Sequence, residues 1–209
     1  EPLKKANEEN IDIIIIDHHI TEPNLPKAYS IINPNRFDED SKLGYLAAVG
    51  VCFLTLVALD RKLRENNINS NIDLKLYLDL VALATICDVV PLKFLNRAFV
   101  STGLKVMGWR QNYGLKALFD LSNVREIPNE QNLGYIIGPR INAAGRLGNS
   151  NLGVELLCCN SEVEASELAD KLNHLNEKRK DIQNKVLESA IAKLDNIDIS
   201  NKNVIILAD

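Results

Sequence analysis

The chain has 209 residues, with 24 Lys and Arg against 28 Asp and Glu, a formal charge of −4, and 46% hydrophobic residues. Such a composition is that of an ordinary soluble globular protein, with room for one large domain or two small ones. It excludes a globally basic nucleic-acid binder, so any contact with a polyanion must come from local clusters. No apolar run approaches the roughly 20 residues that span a bilayer, and no signal peptide is expected. Cys52, Cys87, Cys158 and Cys159 form no Cys-x-x-Cys pair. Buried thiols in a reducing cytoplasm are the expectation.

In chain order, residues 1–10 are polar and predict the end of a helix. Ile11 to Asp17 then predicts a short strand buried on both faces, because an unbroken β-branched run suits a parallel sheet. Asp17, His18 and His19 stand where that strand runs out, the end at which open α/β sheets bind ligands. Carboxylate and imidazole are both ligands of divalent metals. Adjacent residues on extended backbone point to opposite faces, which predicts separate roles for His18 and His19. The alternative is a solvated strand cap.

Tyr29 to Ile32 predicts a second strand, ended by the turn Asn33-Pro34-Asn35. The acidic run Asp38-Glu39-Asp40 reads as an exposed loop. Leu43 to about Arg64 is small and apolar and predicts a tightly packed helix. Asp73 is placed to start a further helix carrying Leu74, Leu78, Val81 and Leu83 on one face. That helix is expected to end near Asp88. There a carboxylate opposes the helix dipole among apolar neighbours and needs a cationic partner, either a metal ion or a buried Arg or Lys.

Between Val89 and Phe119 there is no acid, while Lys93, Arg97, Lys105, Arg110 and Lys116 occur with Trp109 and Tyr113. Cations with interleaved aromatics suit a single nucleic-acid strand. An amphipathic helix with its cations outward explains the same pattern. Residues 131–154 also lack acids and set glycines among Arg140, Asn142 and Arg146, a pattern open to phosphate. Ser161-Glu162-Val163-Glu164 is a capping box opening a helix to about Asp195, with Leu168, Leu172, Leu175, Ile182 and Val186 at helical spacing. His174 reads as a surface residue on it. Val204 to Leu207 predicts a last strand.

Three segments in order carry a family resemblance: Asp17-His18-His19, Ile86-Cys87-Asp88-Val89-Val90-Pro91-Leu92, and Gly138-Pro139-Arg140-Ile141-Asn142-Ala143-Ala144-Gly145-Arg146-Leu147. Together they resemble the DHH phosphoesterase superfamily, and within it the RecJ family of single-strand-specific 5′→3′ DNA exonucleases. The resemblance implies an α/β fold: the C-terminal part of a parallel-sheet DHH domain over residues 1–158, helix-rich, then a long interdomain helix over 159–195. Residues 196–209 would start a second, DHHA1-like domain. It implies a divalent metal, Mn²⁺ ahead of Mg²⁺, held by His18 and Asp88, with His19 at the scissile phosphate and Asp17 orienting an imidazole. Arg140, Asn142 and Arg146 would contact phosphates. Single-stranded DNA is the implied partner, with a single-strand-binding protein and a helicase as further partners in cytoplasmic DNA repair and recombination. Other metal ligands of the family lie upstream of this pattern. The chain is therefore expected to be an internal piece of a longer protein, inactive alone. A DHH phosphodiesterase acting on small nucleotides, or a non-catalytic DHH-like scaffold, are the alternatives.

Overall fold

Ile14–Ile16 form strand β1 and Ser30–Ile32 form strand β2, paired in parallel with Ile15 opposite Ile31. The ladder reaches past both ends of β1, since Tyr29 N donates to Ile13 O at 2.8 Å and Asp17 N to Ile32 O at 3.1 Å. The structure, a computed structural model, describes residues 2–194 and 204–207. Its contacts divide the chain into two units, Glu1–Gln111 with Glu126–Gly134, and Asn112–Arg125 with Tyr135–Asp209.

In the first unit, helix α1 (Pro2–Glu8) precedes β1, and helix α2 (Ala48–Glu65) follows β2. A 3₁₀ turn (Leu74–Tyr77) leads into α3 (Leu78–Cys87), and α4 (Phe94–Gly108) comes next. Asp73 caps the 3₁₀ turn, its Oδ1 accepting from Lys75 N at 3.0 Å. Apolar nearly all round, α3 is buried nearly all round, as such a helix must be. The core joins Leu46, Val51, Leu78, Val81, Phe99 and Val106. On α4, Asn96, Phe99, Val100, Gly103, Val106 and Met107 face inward while Lys93, Arg97 and Lys105 are exposed. The amphipathic-helix reading of that basic stretch describes what is observed.

Four expectations need correction. β1 is not buried on both faces: Ile14 is 61% exposed and Ile16 36%, because the sheet among the described residues has only two strands. The helix expected from Leu43 begins at Ala48, since Leu43 to Ala47 form a turn that buries Leu46 and Ala47 instead. The cysteines are not fully buried: Cys52, Cys87 and Cys159 are half-buried and Cys158 is exposed. Val204 to Leu207 form no strand and pair with no other described segment, with Ile206 89% exposed.

The second unit is helical. It comprises α5 (Tyr113–Leu121), α6 (Gly138–Arg146), which a π-helical turn (Asn132–Ile137) enters from the first unit, then α7 (Leu152–Cys158) and α8 (Glu162–Leu194). Asn112 caps α5 through Leu115 N at 2.9 Å and ties it to Leu157 O at 3.0 Å. Ser161 caps α8 by accepting from Glu164 N. The first half of α8 buries Ala165, Leu168, Ala169, Leu172 and Asn176. Its second half does not continue that face, for Ile182 and Val186 are 46% and 47% exposed. At 33 residues it is roughly 50 Å long. The expected helix end at Asp195 lies outside the described residues.

Helices α3 and α4 approach closely enough to require a glycine. A Cβ at Gly103 would stand 2.1 Å from Leu78 O and 2.5 Å from Ala82 Cβ. The first of these is backbone and cannot step aside cheaply. Gly103→Ala is therefore expected to destabilise the fold by about 1–3 kcal/mol, read as a lower denaturant midpoint with an unchanged slope.

Candidate active site

Beyond Asp17 the strand loses its partner, and His18 and His19 must find other hydrogen bonds. Asp17 supplies two of them. Its Oδ1 accepts from His18 N at 2.7 Å and from His19 N at 3.3 Å, and lies 2.7 Å from His19 Nδ1. Gathering both amides on one oxygen turns the chain, and a bend falls at His19. The expected projection to opposite faces is therefore wrong. The two imidazoles lie side by side, with ring centroids 4.6 Å apart and planes tilted by 53°.

Their surroundings nevertheless differ. His18 is 17% exposed, and its Nε2 stands 3.4 Å from Asp88 Oδ2; His19 is 78% exposed and is held from behind by Asp17. Burial works to raise the Asp17 carboxyl, but the His19 ring and the two backbone amides outweigh it and hold the group below the usual carboxylate range. An ionised carboxylate only accepts, so His19 Nδ1 carries a proton and Nε2 is the atom turned outward.

Asp88 is the C-cap of α3, its N donating to Ala84 O at 2.9 Å. Contrary to expectation it is not enclosed by its apolar neighbours; its side chain is 39% exposed. Val89 follows in left-handed backbone, φ 57°, which costs a β-branched residue about 1–2 kcal/mol and turns the chain away at once. Cys87 beside it is pushed up by burial and then by Asp88, and so stays a thiol. Two donors sharing one divalent ion at about 2.1 Å each sit roughly 3–3.5 Å apart. His18 Nε2 and Asp88 Oδ2 fit that spacing. No group of three or more His, Cys, Asp or Glu suited to a metal occurs among the described residues. Asp38, Glu39 and Asp40 are exposed, and Asp38 is paired with Arg36 at 2.5 Å. Asp79 is a buried carboxylate raised by that burial. It stands nine helical residues before Asp88, roughly 13 Å along the axis, and is no part of this site.

Three residues that read in the sequence as a turn and a packed helix start also touch the site. Asn35 Nδ2 donates to His18 O at 2.6 Å and to Gly44 O at 3.1 Å, and Asn33 Nδ2 donates to His19 O at 2.9 Å. Asn33 Oδ1 accepts from Asn35 N at 2.8 Å. The available signal was an Asn-Pro-Asn at the end of the one strand that can neighbour β1.

Arg140, Asn142 and Arg146 lie in the second unit, on α6. Arg140 is half-buried, its Nε on Asn173 Oδ1 at 3.0 Å and its Nη1 on Ile136 O at 2.6 Å, which ties α6 to α8. Asn142 and Arg146 are exposed, one helical turn apart, and neither side chain makes a hydrogen bond or ion pair to a described residue. A Cβ at Gly145 or Gly148 would meet nothing within 4 Å. His174 is exposed, as expected of a surface residue.

The depressed Asp17 carboxyl makes a prediction with a definite sign. Its stabilising bonds are complete above its unfolded value and are lost as pH falls through its lower folded one. The stability advantage of the native chain over Asp17→Asn is expected to hold from neutral pH to about pH 5 and to vanish in stronger acid. Melting both proteins across that range checks it.

Comparison with known proteins finds relatives of this chain. The DHH family, N-terminal domain, matches residues 1–85. The single-stranded-DNA-specific exonuclease RecJ of Dickeya dadantii is 40% identical over 186 residues, 85% of this chain and 32% of that protein. The RecJ of Salmonella typhimurium is 39% identical over 204 residues, 93% of this chain and 35% of its own length. The chain thus spans about a third of the length of these curated relatives. The crystal structure of RecJ from Thermus thermophilus in complex with Mn²⁺ superposes with a TM-score of 0.78 at 30% identity, covering 93% of this chain and 28% of that one. By sequence and by fold, the chain matches the RecJ exonucleases and, over residues 1–85, the DHH family.

Proposed function

We propose that this chain contributes part of a metal-dependent phosphodiesterase site, that of a 5′→3′ exonuclease acting on single-stranded DNA in repair and recombination. The observation that carries the reading is the meeting of His18 Nε2 and Asp88 Oδ2 at 3.4 Å beside a second, exposed imidazole. His18 and Asp88 hold a divalent ion, Mn²⁺ in preference to Mg²⁺; the Thermus RecJ structure compared above is a complex with Mn²⁺. Such an ion supplies positive charge against the phosphoryl group and makes water a better nucleophile. His19, fixed by Asp17 through Nδ1, presents Nε2 to the scissile phosphate and exchanges a proton at the leaving oxygen. Asn142 and Arg146 bind the strand's phosphates, and Arg140 adds its uncommitted Nη2.

In this reading residues 1–158 are the C-terminal portion of the DHH domain, 159–195 the interdomain helix and 196–209 the start of a DHHA1-like domain. The cytoplasm is the compartment, and a single-strand-binding protein and a helicase are the protein partners. No helix among the described residues is long and apolar enough to cross a membrane.

Two experiments on the full-length protein test the roles. His18→Ala is expected to abolish calorimetric Mn²⁺ binding, whereas His19→Ala keeps the affinity and lowers turnover by about 10²–10⁴-fold, the usual weight of a general acid or base. Equal losses of affinity would refute this division. For the arginines, binding of a single strand is measured against salt with turnover blocked. Arg146→Gln is expected to flatten the log–log slope by roughly 0.7 for every sequence alike, with the melting temperature unchanged. Arg140→Gln should lower both, because that side chain also braces α6 against α8.

A further inference from the structure

We infer that Asn35 is a positioning residue for the His18–His19 pair, and that Gly44 is a glycine because Asn35 needs the space. The inference rests on the reading of His18 and His19 given above.

The dipeptide has four backbone polar groups, and none of them joins a strand ladder. Its two N–H groups go to Asp17 Oδ1, the His18 carbonyl to Asn35 Nδ2, and the His19 carbonyl to Asn33 Nδ2. Three side chains therefore set the orientation of the three successive peptide planes around the pair, and through them the direction of each imidazole. The plane between the histidines is held on its carbonyl side by Asn35 at 2.6 Å and on its amide side, more loosely, by Asp17 at 3.3 Å. Rotating that plane changes ψ of His18 and φ of His19 together, so Asn35 governs the metal-facing ring and the phosphate-facing ring at once.

Asn35 is itself restrained on both sides. Its own amide is tied to Asn33 Oδ1 at 2.8 Å, and its Nδ2 also reaches Gly44 O at 3.1 Å. A Cβ added at Gly44 would lie 2.2 Å from Asn35 Oδ1 and 3.1 Å from its Cγ. Gly44 does not have positive φ, so alanine is acceptable to the backbone there. What alanine would disturb is the Asn35 carboxamide, which has to swing off the His18 carbonyl to make room. Gly44 and Asn35 thus form one device, assembled from the turn before α2 and the end of β2.

The test uses the full-length protein, Mn²⁺ as titrant and a 5′-ended single strand as substrate. Asn35→Ala and Gly44→Ala are each expected to weaken Mn²⁺ binding and to lower kcat by about 10- to 100-fold, the range for residues that orient metal ligands, with KM little changed. In the Asn35→Ala background, Gly44→Ala should add nothing, because no carboxamide remains to displace. Asp60→Asn serves as the stability control. Asp60 accepts from Ser70 Oγ and pairs with Arg64 at the far end of α2, so its loss should lower the melting temperature and leave affinity and kcat alone. Lower melting temperatures in the Asn35 and Gly44 variants with native affinity and kcat would overturn the inference, as would losses that multiply in the double variant. His18→Ala run alongside separates the two levels. If it keeps Mn²⁺ affinity, the site reading fails and this inference falls with it. If it loses affinity while both other variants keep theirs, the positioning role alone is wrong.

Discussion

A single carboxylate oxygen organises the first unit's chemistry. Asp17 Oδ1 takes three donors, two amides and an imidazole, at the point where β1 has run out of ladder. Without it the strand would continue extended and the two histidines would diverge. With it the backbone folds on itself and both rings stand together, one toward Asp88 and one toward solvent. The cost is that a carboxylate must stay ionised while partly desolvated, and the donors that define the turn are the same ones that keep it so. Local geometry and charge state are one property here.

The parallel pairing of β1 with β2 makes the rest possible. Parallel strands end on the same side, so Asn33 and Asn35, just beyond β2, arrive beside His18 and His19, just beyond β1. An antiparallel neighbour would have brought its other end there. The loop between the strands contains no helix, and the first helix to pack on them, α2, begins only after the turn that holds Gly44. The late start of α2 is thus no irregularity, because those residues are already occupied with the strand ends.

What could be read from the sequence followed from local periodicity. The isoleucine strand, the helices α3, α4 and α8, the caps at Asp73 and Ser161, and the solvated acidic loop all follow from patterns within a few residues. Whatever depended on a partner far along the chain was not legible. Strand burial failed at Ile14 and Ile16 because a β-branched run says what a strand prefers and nothing about how many neighbours cover it. The opposite-face argument for the histidines assumed extended backbone through His19, and a carboxylate at Asp17 cancels that locally. Asn33 and Asn35 looked like turn residues because asparagine beside proline usually is one; their second use is visible only once β1 is known to lie alongside. Asp88 was rightly singled out as electrostatically misplaced, but the burial assigned to it came from its sequence neighbours, and the chain turns away at Val89.

The same distinction governs how charge is distributed over this acidic chain. The acid-free stretches from Val89 to Phe119 and from 131 to 154 look basic only along the chain. A cation's field is set by the charges within about 10 Å of it in space, and the fold brings acids back from elsewhere. Lys116 meets Glu162, 46 residues away, at 2.6 Å, and the Lys116 ammonium is held by that pair. Arg140 meets no acid, yet two of its nitrogens are spent on Asn173 and Ile136. The cations that keep their full hydrogen-bonding capacity are fewer than the sequence count: Arg146 on α6, and Lys93, Arg97 and Lys105 on the outer face of α4, each without an ion pair among the described residues. Arginine at 146 has a geometric advantage over the α4 group. Beside it Gly145 and Gly148 leave the backbone bare, so a phosphate can approach the guanidinium fork without meeting a side chain first. Space beside the charge, more than the amount of charge, sets Arg146 apart from the cations of α4.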